Sequence, residues 1–148
     1  MPSKQLIAPI LSIEQEIRTL NGPEKFSQFK SYILTKKGQT TLTELLKRFE
    51  FDQKFSGKDA VMSKKIYCEN TVWLKSLIAK IGWPSQELVG ITGEQSAWLI
   101  TQHSLDIRFQ EKCLGLINVL PLTKERKEYI AYLTDSILVK KERKQIYG

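Results

Sequence analysis

The chain has 148 residues, 41% of them hydrophobic and 26% charged, and a formal net charge of +7. This is the composition of a folded globular domain, neither disordered nor collagenous, and a chain of this length buries about two thirds of its unfolded surface without a metal or a disulfide. One histidine and two cysteines, Cys68 and Cys113, exclude a His-rich relay and a four-thiolate site, so no cofactor is expected.

No apolar run approaches the roughly 18 residues that a membrane span needs. Met1-Pro2-Ser3-Lys4 and the short apolar stretch Leu6–Leu11 imitate a signal peptide, but Pro9, Glu14 and Glu16 interrupt it and no small-residue cleavage site follows. The expected location is therefore the cytoplasm, with specialised secretion left open. Two isolated cysteines read as reduced thiols. The positive charge is concentrated: residues 24–65 hold ten Lys or Arg against five acids, and Lys140-Lys141-Glu142-Arg143-Lys144 forms a second cluster.

In chain order, Ser12 with Gln15 forms a capping box ahead of Ile13, Ile17 and Leu20. Pro23 opens a second helix with Phe26, Phe29, Ile33 and Leu34 on one face, closed by Gly38. Thr41 and Glu44 form another capping box, with Leu42, Leu45, Leu46 and Phe49 behind it. Residues 51–58 read as a loop around Ser56-Gly57. Asp59 caps a long helix to about Lys80, whose inward set is Met62, Ile66, Trp73, Leu77 and Ile81, and Gly82 ends it. Ser85 starts a single turn. A helix apolar over most of its circumference runs from Glu94 to His103. Asp106 caps the next, with Phe109, Cys113, Leu116, Ile117 and Leu120 inward, and Pro121 interrupts it. A last helix from about Thr123 presents Tyr129, Ile130, Leu133 and Ile137, and a charged tail follows Val139. The pattern predicts an all-α fold of six or seven helices, with a basic N-terminal helical extension over residues 1–58 and a compact helical domain over 59–148.

No P-loop, dinucleotide, zinc-peptidase, nucleophile-elbow, CxxC or EF-hand motif is present. Gly90-x-x-Gly93 has the spacing of a KH loop without the sheet that motif requires. Unusual residues gather instead in the second half. They are Gly82-Trp83-Pro84, the helix end Ala97-Trp98-Leu99-Ile100-x-Gln102-His103, Tyr132-Leu133-Thr134-Asp135 and Gln145-x-Tyr147-Gly148. Together they resemble the DUF6624 family over roughly residues 64–148. The resemblance implies a small helical domain and selects Asn70, Gln102, His103, Asp106, Asp135, Gln145 and Tyr147 as polar positions; it implies no established activity. The chain departs from the family pattern at Ser136, where relatives carry Arg, and at Glu142-Arg143-Lys144, where they carry Gly-x-Pro.

Read from the residues alone, His103 stands at a helix C-terminus, where the dipole favours a cation, and Asp106 at the next N-terminus, where it favours an anion. His103 is a general-base candidate, oriented by Asp106 or Asp135, with no nucleophile placed beside it by sequence. The competing role is a hydrogen-bonded turn with Asp106 as its cap. Trp73, Trp83 and Trp98 read as core anchors. One shared polar cluster is expected from His103 and Asp135, roofed by Gln145 and Tyr147.

Three functions follow. The leading expectation is a small helical protein-interaction module, an adaptor or delivered effector, whose protein partner meets Phe51, Lys54, Phe55 and Lys58. The second is a small hydrolase or transferase using His103 with Asp106 or Asp135. The third is nucleic-acid binding through the basic surface, expected to be weak, salt-sensitive and sequence-indifferent, because no groove-reading motif accompanies the charge.

Overall fold

A computed structural model describes residues 35–147, with side chains to residue 143. Five helices follow one another among the described residues: α1 (Lys36–Phe55), α2 (Ala60–Ile81), α3 (Gln86–His103), α4 (Ile107–Asn118) and α5 (Lys124–Tyr147). The all-α expectation holds, but the count of six or seven helices is corrected to five. The helices expected over 12–20 and from Pro23 to Leu34 lie outside the described residues. The turn expected at Ser85 is present, the Ser85 carbonyl accepting from the Leu88 and Val89 N–H groups, and the non-helical Gly90 divides it from the main run of α3.

Two other boundaries move for local reasons. Gly38 does not end a helix; it lies in the first turn of α1, where its N–H donates to Thr35 Oγ1 at 3.0 Å. Thr41 is not a cap either. Its hydroxyl donates back to the Lys37 carbonyl at 2.9 Å, as Thr40 does to Lys36 and Thr43 to Gln39. Helix α1 also continues through residues 51–55, expected as loop, because no breaker occurs before Ser56-Gly57. Gly57 then turns the chain at φ +76°, and the N–H groups of Lys58 and Asp59 close on the Phe55 carbonyl.

The later boundaries match their sequence signals. Asp59 Oδ1 accepts from the Met62 N–H at 3.0 Å and starts α2. Gly82, at φ 78°, ends it, and its N–H returns to the Ile78 carbonyl. Asp106 starts α4 by accepting from the Phe109 N–H at 3.1 Å. Thr123 Oγ1 accepts from the Arg126 N–H at 3.2 Å and starts α5. That helix carries on through the segment expected as a charged tail.

The chain divides into two compact units. Among the described residues, one takes residues 35–54 together with Pro84–Ala97. Its core holds Leu42, Leu45, Val89 and Ala97, and with them the buried Asp52, Glu94 and Ser96. Glu94 Oε1 accepts from the Gln86 N–H at 2.6 Å, which ties the short turn before the Gly90 kink to the main run of α3. The other unit takes Phe55–Trp83 and the residues from Trp98 onward. Its core holds Ile66, Leu74, Leu77, Ile78, Trp83, Ile100, Phe109, Cys113, Ile117, Tyr129, Leu133 and Ile137. The inward face of α2 thus differs from the expected set. Leu74 and Ile78 replace the exposed Met62 and the half-buried Trp73 and Ile81, and Ser63, Asn70 and Thr71 share that face as buried polar residues. No described helix is long and apolar enough to cross a membrane.

Candidate functional site

The second unit concentrates its polar side chains at the turn between α3 and α4, residues 103–106. A helix C-terminus leaves carbonyls without intrahelical donors. Two long side chains satisfy them here. Gln110 Nε2 donates to the carbonyls of Thr101 and Gln102 at 3.0 and 3.1 Å. Lys140, from α5, donates to the Ser104 carbonyl at 2.6 Å and to Gln110 Oε1 at 3.0 Å. A cation at that end of α3 also complements the helix dipole. Burial pulls the Lys140 ammonium below its ordinary value. Ser104 is fully buried and accepts from Thr71 Oγ1 at 2.8 Å and from the Asp106 N–H at 3.2 Å.

Asp106 is committed at both oxygens. Oδ1 caps α4, and Oδ2 pairs with Lys75 Nζ at 2.7 Å. The Lys75 hydrogen bond, helped by the Phe109 N–H, holds its carboxyl below the usual carboxylate range. Of the two acids proposed beside His103, Asp106 therefore does the work of a cap and an ion pair. Cys113 is fully buried, and burial pushes its thiol up to about 12, so it offers no thiolate nucleophile.

His103, half-buried, lies against the ring of Tyr67, with centroids 5.0 Å apart and planes inclined by 42°. The Tyr67 hydroxyl shares a 2.5 Å hydrogen bond with Ser56 Oγ. Tyr67 and Leu105 both line an open surface cavity of ≈ 680 Å³, whose other walls are Gly57, Lys58, Ala60, Ser63 and Lys64. His103 thus touches one cavity-lining residue and stands two positions from another. Ser63 Oγ is held by the Phe55 carbonyl at 2.8 Å. A neighbouring cavity of ≈ 390 Å³ shares Ala60 and Lys64 and adds Val61, Lys65 and Cys68. Its thiol is exposed.

The other expected site residues are distributed over α1, α2, α3 and α5 and the turn after α1. Asn70 is buried on α2 at 3% exposure. Asp135 is exposed on α5 and not partly buried as expected. Gln102 is half-buried, and its amide reaches the Tyr132 carbonyl at 3.4 Å. The side chains of Gln145 and Tyr147 lie outside the described residues. Phe51 and Lys54 are exposed on α1, Phe55 is half-buried at its end, and Lys58 is exposed in the turn. Among the described residues, no group of three or more His, Cys, Asp or Glu side chains converges as a metal site would need.

Sequence reasoning missed Tyr67, Thr71, Lys75, Gln110 and Lys140. Thr71 and Ser104 are 33 positions apart, and Lys140 and Ser104 are 36 apart. Local periodicity carries no signal at that range. One signal was available: a Lys on the extrapolated inward face of the last helix, continuing Leu133 and Ile137, has to find acceptors.

Fold and site define a small all-helical domain with a polar cluster built on one interhelical turn. The chain belongs to DUF6624, a family of unknown function, whose model matches residues 41–148. The match begins well before residue 64, so most of α1 lies within the family and not outside it. No curated protein and no solved structure matches the chain.

Proposed function

We propose that this domain is a small hydrolase or transferase whose acid–base group is His103, working on a substrate held in the cavity beside Tyr67. The observation that carries this reading is the position of His103. A half-exposed imidazole, the only one in the chain, packs on Tyr67, which forms part of the cavity wall. The backbone around it is fixed by Gln110, Lys140 and the Thr71–Ser104 pair, so the ring stands on a rigid support. Rigid positioning is what proton transfer in a transition state requires. The Tyr67 phenol is a second group able to give or take a proton at the cavity wall, with Ser56 holding its hydroxyl. Asp135 is not needed in this reading.

The protein-interaction reading has less behind it. Phe51 exposes 46% of its surface, but Phe55 is half-buried, and its carbonyl already accepts from Lys58, Asp59 and Ser63.

The test is turnover of a panel of chromogenic esters and phosphomonoesters by the wild type, His103→Gln and Tyr67→Phe. Loss of a general acid–base group lowers kcat/KM by about 10²–10⁴-fold. The expected result is a loss of that size for His103→Gln on whichever probe the wild type turns over, with a smaller loss for Tyr67→Phe. Turnover unchanged in His103→Gln would end this reading.

A further inference from the structure

The same cavity carries a charge pattern that names a ligand. Lys58 and Lys64 both line it, and no carboxylate does. Elsewhere Lys75 meets Asp106 at 2.7 Å and Lys141 meets Glu111 at 3.0 Å, and neither pair reaches the cavity. Neither Lys58 nor Lys64 has an ion-pair partner among the described residues. Asp59, the nearest acid in sequence to Lys58, turns its carboxylate to the Met62 N–H. Two ammonium groups on one concave wall leave a positive field that an oxyanion would neutralise.

Building on the acid–base reading of His103, we propose that this cavity binds a phosphoryl group, held by Lys58 and Lys64, and that the substrate of the site is a phosphomonoester. Three features select that class. A phosphomonoester carries about 1.5 to 2 negative charges near pH 7, which two lysines match and a single carboxylate does not. Lysine binds phosphate as a point charge without demanding planar geometry. The cavity, at ≈ 680 Å³, also exceeds what a bare phosphate fills, and Ala60 with the half-exposed Leu105 gives an organic leaving group an apolar wall. In hydrolysis, water adds to phosphorus as the P–O ester bond breaks. The leaving alkoxide takes a proton from the acid form of His103, the added water gives up one proton that restores that acid form, and the products are an alcohol and inorganic phosphate.

Calorimetric titration of the full chain with inorganic phosphate tests the binding, with sodium acetate as the monoanion control. Wild type, Lys58→Ala, Lys64→Ala, Lys64→Arg and His103→Gln are compared. The expected result is saturable phosphate binding by the wild type and weaker binding of acetate. Either alanine variant is expected to weaken phosphate binding by about tenfold or more, in line with the loss of one charge-assisted contact. Lys64→Arg and His103→Gln are expected to retain it. Both lysines are exposed, so the variants should fold as the wild type does. Absence of saturable binding, or binding that survives both alanine substitutions, would overturn the proposal. The two readings fail separately. Phosphate binding that depends on Lys58 and Lys64, with turnover indifferent to His103→Gln, removes the acid–base role alone. Turnover lost in His103→Gln, without any saturable phosphate site, removes the phosphoryl ligand alone.

Discussion

Asp106 shows how one side chain can serve two elements at once. One oxygen ends the search of the α4 N-terminus for an acceptor, and the other meets Lys75 of α2. Replacing it with Ala should cost about 0.5–2 kcal/mol, the usual range for loss of such a cap. The carboxyl is held below its ordinary value in the folded state. Its contribution is therefore complete above the unfolded carboxyl value, near 4, and is lost as pH falls through the folded value. The difference in stability between wild type and Asp106→Ala, followed by denaturant titration, should be full at pH 7 and shrink steadily below about pH 4. His103 and Asp106 were both legible in the sequence, because a helix end and a cap leave local signatures. Tyr67 was not, because an aromatic half-way along a long helix reads as one more apolar residue. Its ring contact with His103 joins residues 36 positions apart in the chain.

At the scale of elements, what the sequence disclosed depended on how local the determinant was. Asp59, Gly82, Asp106 and Thr123 mark helix ends by their own chemistry, and all four ends lie where those residues place them. The Thr41–Glu44 pair failed because the same residues satisfy a helix interior, with threonine hydroxyls bonding back four residues. Gly90 and Gly93 illustrate two separate reasons for glycine. Gly90 sits at φ 78° and breaks α3 into two runs. Gly93 is needed for space, since an added Cβ would lie 2.6 Å from Val89 Cγ2 and 2.7 Å from Val89 Cβ. Val89 is 1% exposed and has little room to yield. Gly93→Ala should therefore destabilise the protein by about 1–3 kcal/mol despite the better helix propensity of alanine, the range for overpacking a filled interior. A thermal melt checks it; a variant as stable as the wild type would show that Val89 can move aside.

For the whole molecule, the basic charge has more than one use. Part of it is internal, as at Lys140, whose ammonium ties α5 to the α3–α4 turn. Part is paired on the surface, as at Lys75 and Lys141. Part lines a cavity, at Lys58 and Lys64, and composition alone could not tell these uses apart. The central claim is that this cavity and His103 form one site. Because the chain has a single histidine, it gives one imidazole Cε1–H signal in a proton NMR spectrum. The most direct test follows the His103 Cε1–H resonance at fixed pH while inorganic phosphate is added. One site predicts a saturable shift that tracks the binding isotherm and moves to about tenfold higher phosphate in Lys64→Ala. An imidazole signal that stays still while phosphate saturates the protein would contradict it.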